Sequence, residues 1–178
     1  MNLVETGIKD LYMIEPKVFG DHRGYFLETY NQSTFKQLGL NYNFVQDNES
    51  FSKYGTLRGL HFQKGEHAQA KLVRVLSGKV LDVAVDLRKD SPTYGKHYSV
   101  ELSEENKKLF IVPRGFAHGF VVLSETALFS YKCDNFYAPA HEGGLAYNDP
   151  DLKIDWIVPN DKLILSDKDL KNPRLVEL

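Results

Sequence analysis

The chain of 178 residues is long enough to bury one sizeable core, and its 42% hydrophobic and 26% charged residues are ordinary globular usage. Its 22 basic and 24 acidic residues give a net charge of −2, which argues against a nucleic-acid partner but allows a small basic pocket. The single cysteine, Cys133, excludes an internal disulfide, and the lack of a secretion signal or long apolar run predicts a cytoplasmic protein with no membrane partner.

Helical signals along the chain are few. The segment Asn31–Leu40 has Ser33 as a candidate N-cap and Gly39 as a stop, which predicts one short helix. Near the end of the chain, Ser166–Leu170 carries a weaker pattern that resembles a capping box.

Short strands account for most of the remaining pattern. The stretch Lys71–Arg88 alternates apolar and polar residues on both sides of Ser77-Gly78, which predicts a β-hairpin with Asp82 and Asp86 on one face. Three further strands are expected at His97–Leu102, Leu109–Val112 and Gly119–Leu123, and a fourth at Leu128–Cys133. Without crossover helices for parallel units, this series predicts an all-β sandwich or barrel.

Two glycine- and histidine-containing segments, at 55–78 and 113–119, resemble the two signature motifs of the cupin superfamily, a double-sheet jelly roll. Metal-binding cupins use these motifs to supply three histidines and a glutamate. The matching positions here hold His61, Gln63, Lys71 and His118. Because a lysine ammonium has no lone pair for a metal, the spacing implies the barrel while the residues argue against a metal site.

Taken singly, these residues also have ordinary interpretations. His61 could be a structural or surface histidine, and Lys71 could be a strand-edge charge facing water. Their joint placement favours a function, because a lysine buried beside a histidine is costly unless it meets an anion or a developing negative charge.

Seven segments extend this pattern over almost the whole chain: DHRGYFLETY (21–30), QDNESFSKYGTLRGLHFQ (46–63), AQAKLVRVLSGKVLDVAVDLRKDSPTYG (68–95), IVPRGFAHGF (111–120), YKCDNFYAP (131–139), NDPDLKIDW (148–156) and LSDKD (165–169). In this order and spacing they resemble the dTDP-4-dehydrorhamnose 3,5-epimerase family. The resemblance implies an all-β, double-sheet jelly-roll (cupin) barrel with a few short peripheral helices. It also implies a single domain over residues 1–178.

That family inverts carbons 3 and 5 of dTDP-4-dehydro-6-deoxy-D-glucose to give dTDP-4-dehydro-L-rhamnose, without a cofactor or a metal. Removing a proton next to a ketone needs a base and a cation near the ketone oxygen, and inversion needs a second acid on the other face. The resemblance assigns His61 as the base and Asp169 as its orienting carboxylate. It assigns Lys71 to the enolate oxygen and Tyr131 as the acid. By themselves, Tyr131 could be barrel filling and Asp169 a solvated residue of the tail.

The resemblance also implies a set of contacts to the dTDP-linked 4-keto-6-deoxy sugar: Arg23, Phe26, Glu28, Gln46, Asn48, Arg58, His118, Tyr137, Glu142 and Lys168. Within this set, Tyr137 is expected to stack on the thymine ring, and arginine forks suit the diphosphate. The first three residues reach the site of a neighbouring subunit in the family, through strands exchanged in a dimer. A homodimer is therefore expected.

Three other functions stay open at this point. A 3-epimerase that inverts one carbon shares the scaffold and can keep the tyrosine. A metal-free cupin could bind a sugar without catalysis, although binding needs no proton-transfer pair. A metal-dependent cupin oxygenase or isomerase is opposed by Gln63 and Lys71.

Overall fold

A computed structural model describes all 178 residues, which form thirteen β-strands and one α-helix. The strands are β1 (Asn2–Glu5), β2 (Tyr12–Glu15), β3 (Val18–Asp21), β4 (Gly24–Leu27), β5 (Gln46–Lys53), β6 (Leu57–Gln63), β7 (Lys71–Ser77), β8 (Lys79–Asp86), β9 (His97–Ser103), β10 (Leu109–Val112), β11 (Phe116–Val122), β12 (Thr126–Cys133) and β13 (Glu142–Gly144). The helix α1 is Gln32–Gln37, and short 3-10 turns lie at Gly65–His67, Pro139–His141, Asn160–Lys162, Asp169–Lys171 and Leu175–Glu177.

Two antiparallel sheets form the barrel. One has six strands in the order β1-β2-β10-β7-β12-β5, and the other has five in the order β13-β6-β11-β8-β9. Both sheets contribute to a shared apolar interior, with Val73 and Phe129 from the first and Ala84 and Phe120 from the second. This is the double-sheet jelly roll, so the fold predicted from the sequence is confirmed.

The outer faces of both sheets are also covered. Leu81, Val83 and Val85 of β8 pack outward against the C-terminal segment, which contributes Trp156. On the six-stranded sheet, Phe35 of α1 packs among outward residues of the strands. Because β8 is buried on both faces, its inward positions, including Asp82 and Asp86, are shielded from water as well.

The predicted hairpin at Lys71–Arg88 is wrong in its pairing. Both strands exist, but β7 pairs with β10 and β12, whereas β8 pairs with β9 and β11 in the other sheet. Gly78 turns the chain from one sheet to the other at φ +79°, and a Cβ there would lie 2.6 Å from Ser124 Oγ. Alternation fixes which face of a strand is apolar, and two consecutive strands can share an apolar interior without sharing hydrogen bonds.

The predicted helix is present but shorter, and its cap is different. Asn31 is the N-cap, and its side chain accepts hydrogen bonds from the backbone N–H groups of Ser33 and Thr34. Ser33 is therefore inside the first turn, which corrects the predicted cap. In the tail, the backbone N–H of Asp169 donates to Ser166 Oγ at 3.2 Å, as the capping pattern predicted, but the turn is 3-10.

The strands β3 and β4 pair only with each other and join neither sheet. Their hairpin exposes large apolar side chains, with Phe19 at 53%, Tyr25 at 58% and Phe26 at 68% of their surface. No helix of the chain is long and apolar enough to span a bilayer.

Candidate active site

An extra residue in β6 brings two of the predicted site residues to the same face. Leu57 and Leu60 both pack in the apolar cluster outside the five-stranded sheet, the one that includes Trp156. Residues three apart in a regular strand would face opposite sides, and the pairing of β6 with β11 shifts by one residue at this point. Gly59 takes φ +141°, and a Cβ on it would lie 2.6 Å from Gly119 Cα, so the two strands meet through glycines. Because of this bulge, Arg58 and His61 both line the barrel cavity.

His61 forms a short hydrogen bond with a buried carboxylate from the tail. Its Nε2 lies 2.5 Å from Asp169 Oδ1, and the Asp169 side chain is 4% exposed. Burial alone would raise the pKa of Asp169, but the hydrogen bond and positive charge of His61, together with hydrogen bonds from Ser166 and the Gly59 backbone, lower it overall. An ionised Asp169 accepts a hydrogen bond from Nε2–H of His61, which leaves Nδ1 as the ring nitrogen that can take up a proton.

The cavity in front of His61 has a volume of about 430 Å³ and is walled by both sheets. His61 comes from β6 of the five-stranded sheet. Lys71 on β7 and Tyr131 on β12 come from the six-stranded sheet. The Lys71 ammonium lies 5.8 Å from the centre of the Tyr131 ring. The structure thus brings together the four residues predicted to be catalytic.

Burial changes the proton affinities of the two residues on the six-stranded side. It lowers the pKa of Lys71, and the negative charges of Asp82 and Glu142 oppose that change. It raises the pKa of Tyr131, which keeps its hydroxyl protonated. Neither Lys71 nor Arg58 has a carboxylate within ion-pair distance, so both cations are available to an anionic ligand.

His118 lines the same cavity and has a partner that the sequence analysis did not assign. Its Nε2 lies 2.8 Å from Oδ1 of Asp82, which is fully buried on β8, and Oδ2 of Asp82 has no hydrogen-bond partner. The signal was present in the sequence as an aspartate within the apolar run VLDVAV, on the face predicted for it. What alternation could not show is that β8 and β11 would place Asp82 beside His118.

A second cavity, of about 290 Å³, adjoins the first and shares His61, Lys71 and Tyr131 with it. The predicted substrate-binding residues that line it are Gln46, Asn48, Tyr137 and Glu142.

Glu142 connects the two ends of this region. It accepts hydrogen bonds from Tyr137 Oη at 3.0 Å and pairs with Lys168 Nζ at 2.5 Å. Burial alone would raise the pKa of Glu142, but these two contacts lower it.

In the first cavity, Arg58 Nε donates to Ser52 Oγ at 3.0 Å, an orienting contact that the sequence analysis did not identify.

Three of the predicted substrate contacts lie outside both cavities. Arg23 is on the β3–β4 hairpin and pairs with Asp21, and Phe26 is on the same hairpin. Glu28 follows the hairpin and accepts a hydrogen bond from Asn31 Nδ2. Within one chain these residues are separate from the rest of the site.

The residues at the cupin ligand positions do not form a cluster of metal ligands. No group of three or more His, Cys, Asp or Glu side chains is arranged to hold a metal ion. Gln63 directs its amide at backbone groups, and Lys71 brings a positive charge to the cavity. Such a donor set does not suit a cation.

The fold and these facing groups define a cupin-type barrel whose interior holds a His–Asp pair opposite a lysine and a tyrosine. The chain belongs to the dTDP-4-dehydrorhamnose 3,5-epimerase family, whose sequence profile matches residues 5–177, and the predicted family is confirmed.

Individual relatives are similar over nearly their whole length. The dTDP-4-dehydrorhamnose 3,5-epimerase of Salmonella typhimurium is 56% identical over 88% of this chain and 86% of that protein. The crystal structure of the Elizabethkingia anophelis enzyme of the same name is 63% identical, with a TM-score of 0.96 over 99% of this chain and 97% of that one. A dTDP-6-deoxy-D-glucose-3,5-epimerase from Legionella pneumophila, solved in complex with dTDP-4-keto-L-rhamnose, is 48% identical, with a TM-score of 0.94 over 98% and 93% of the two chains.

Proposed function

We propose that this protein is an isomerase that inverts carbons 3 and 5 of dTDP-4-dehydro-6-deoxy-D-glucose and forms dTDP-4-dehydro-L-rhamnose. The observation that carries the proposal is the arrangement of His61 and its Asp169 partner on one wall of the cavity, with Lys71 and Tyr131 on the other. Relatives named for this reaction, one of them solved with the keto-rhamnose product, support the choice of substrate.

The reaction uses the acidity of the two carbons that flank the ketone. His61 Nδ1 takes the proton, the C–H electron pair forms an enolate, and Lys71 stabilises the charge on the enolate oxygen. Tyr131 then gives its hydroxyl proton to the opposite face of the same carbon and regains one from solvent, while His61 releases the proton it took to solvent. Since His61 and Tyr131 belong to different sheets, the sugar ring can lie between them.

The nucleotide is held by residues of both cavities. Tyr137 offers an exposed ring for the thymine, and Arg58 and Lys168 offer positive charge for the diphosphate. Gln46, Asn48, His118 and Glu142 supply polar contacts around the sugar end.

The site is completed by a second copy of the chain. The β3–β4 hairpin pairs with neither sheet and exposes Phe19, Tyr25 and Phe26, a patch that a monomer would leave in water. Insertion of this hairpin into a partner would bury the patch and carry Arg23, Phe26 and Glu28 to the partner's cavity. We therefore propose a homodimer of single-domain subunits with exchanged N-terminal strands. A cytoplasmic location stays a prediction.

The direct test is to incubate the protein with dTDP-4-dehydro-6-deoxy-D-glucose in heavy water and to locate the incorporated deuterium by NMR. Deuterium at carbons 3 and 5, with formation of the L-rhamno product, is expected. Uptake at carbon 3 alone would indicate a 3-epimerase. Absence of uptake at both carbons would refute epimerisation and leave a sugar-binding role.

A further inference from the structure

The ring of Tyr137 depends on its backbone for its position. It lies in the connection from β12 to β13, which has only the 3-10 turn Pro139–His141 as regular structure, and its side chain is largely exposed. Its hydroxyl donates to Glu142 Oε2 at 3.0 Å, while 55% of the residue's surface is open to solvent. Whatever holds the backbone on either side of Tyr137 therefore sets where the ring stands.

Gln63 makes those backbone contacts. Its side-chain Nε2 donates to the carbonyl oxygen of Phe136 at 3.2 Å and to that of His67 at 2.7 Å. Its Oε1 accepts from the backbone N–H of Ala138 at 2.7 Å. The residues immediately before and after Tyr137 are thus both bonded to one amide, which also joins them to the turn at Gly65–His67.

Other contacts to the connection are less buried. Gln46 Oε1 accepts from the Tyr137 N–H at 3.0 Å. Asn135 Nδ2 donates to the Glu66 carbonyl, and the Asn135 carbonyl accepts from Gln69 Nε2. Gln63 is only 7% exposed, whereas the side chains of Gln46 and Gln69 are partly open to solvent. Loss of its amide would leave partly buried carbonyl and N–H groups unpaired, which costs more than loss of a fully exposed contact.

We propose that Gln63 is a positioning residue for nucleotide recognition: its amide clamps the backbone on both sides of Tyr137 and so holds the ring where the nucleobase stacks. This inference rests on the proposed function, since it takes Tyr137 as the base-stacking residue. It also gives the cupin ligand position on β6 a role, because the side chain there binds backbone groups that flank the nucleotide site.

The test compares four variants in dTDP binding by titration calorimetry and in turnover of the dTDP-sugar. Gln63→Met removes the amide with little change in length, and Gln37→Met makes the same substitution at an exposed residue of α1. Tyr137→Ala removes the ring, and Gln63→Met/Tyr137→Ala removes both. If Gln63 holds Tyr137 in the conformation that binds dTDP, the apparent dTDP affinity of a variant falls in proportion to the fraction of molecules that still adopt that conformation.

Gln63→Met should weaken dTDP binding and raise KM about tenfold, equivalent to about 1.4 kcal/mol, with kcat within about threefold of wild type. Gln37→Met should match the wild-type protein. In the Tyr137→Ala background the Gln63 substitution should have little further effect on dTDP binding, because the residue it positions is already absent. A general loss of structure would instead lower kcat or add to the Tyr137→Ala defect.

Gln63→Glu provides an independent variant if Gln63→Met does not fold. Its carboxylate can accept from Ala138 but faces two carbonyls without a donor, and protonation restores one donor. Its binding defect relative to wild type should therefore be larger at pH 8 than at pH 5.5. Unchanged dTDP affinity in folded Gln63 variants, or full additivity with Tyr137→Ala, would overturn this inference alone. Failure of the wild-type protein to bind dTDP would refute the proposed function and this inference together.

Discussion

Replacement of Asp169 by asparagine tests the base assignment most directly. The carboxylate is buried, lies 2.5 Å from His61 Nε2, and has a lowered pKa, so it is ionised at neutral pH. Asp169→Asn keeps the size of the side chain but removes the charge that stabilises the imidazolium formed when His61 takes a proton. An asparagine amide can also donate to Nε2, which would move the ring proton to Nδ1 and block the base.

The expected loss follows from that geometry. A hydrogen bond to a charged group is worth about 1.5–3 kcal/mol, and each 1.36 kcal/mol in the barrier changes the rate tenfold. Loss of the charge alone should thus lower kcat by about 10²-fold, and reversal of the tautomer by up to about 10⁴-fold. KM should change little, because Asp169 acts through His61.

Asp86 provides a matched control, since it is also a buried, ionised aspartate but lines neither cavity. Burial alone would raise its pKa, but hydrogen bonds from Arg88, Ser91 and Thr93 hold it at about 2, against an ordinary 3.8. The hydrogen bonds to the ionised Asp86 stabilise the fold above pH 4, and this stabilisation is lost as the pH falls toward 2 and the carboxylate is protonated. Asp86→Asn should therefore cost about 2 kcal/mol of stability at pH 7, and much less at pH 2.

Both variants are assayed for turnover and for deuterium uptake from heavy water, at a temperature where circular dichroism shows them folded. Asp86→Asn should lose stability and keep kcat, and Asp169→Asn should lose both exchange and turnover. If Asp169→Asn turns over within threefold of the wild-type rate while folded, Asp169 does not orient the base, and the assignment of His61 needs another partner.

The remaining predictions use the same reaction. Lys71→Ala should lower deuterium uptake at carbons 3 and 5 together, by about 10²–10³-fold, since no cation then stabilises the enolate; uptake at the normal rate would contradict this role. Tyr131→Phe should leave deuterium uptake through His61 intact but slow inversion, most strongly at carbon 5. Inversion at the normal rate would show that Tyr131 only fills the barrel interior. Treatment with EDTA should leave turnover unchanged. A loss of turnover that one particular metal restores would show that the enzyme needs a metal. Coexpression of Arg23→Ala and His61→Ala chains should restore up to about a quarter of wild-type turnover through mixed dimers, whereas a fully active monomer by light scattering would rule out the shared site.

Much of the fold could be predicted because strand periodicity and turn residues are local signals. The strands at His97–Ser103 and Leu109–Val112 match the expected spans closely. Pairing is a long-range property, and it was misjudged at Gly78, where consecutive strands enter different sheets. Two residues near the helix start could cap it, and the structure uses Asn31 rather than Ser33. The Asn31 side chain accepts hydrogen bonds from the backbone N–H groups of Ser33 and Thr34.

The candidate site shows the same division. Residues within motifs, such as His61, could be assigned by type and spacing. Contacts that form only when distant segments meet could not, and these include the pairing of Asp82 with His118 and the hydrogen bonds of Gln63. Neither residue is conspicuous in its own segment, because a buried aspartate or glutamine is explained only by the partner that satisfies it.

The barrel explains why these residue types occur where they do. A proton-transfer site that inverts a carbon needs a base and an acid on opposite sides of one ring, and two facing sheets provide such walls. Lys71 occupies the position at which metal-binding cupins carry a glutamate ligand, so one residue changes the charge at this point of the interior from negative to positive. In the proposed reaction, this ammonium supplies at the enolate oxygen the positive charge that a bound cation would otherwise provide. Burial lowers the pKa of Lys71, and the negative charges of Asp82 and Glu142 oppose this change and help to keep the ammonium protonated. Asp82 on β8 therefore stabilises the charge of Lys71 in addition to its contact with His118.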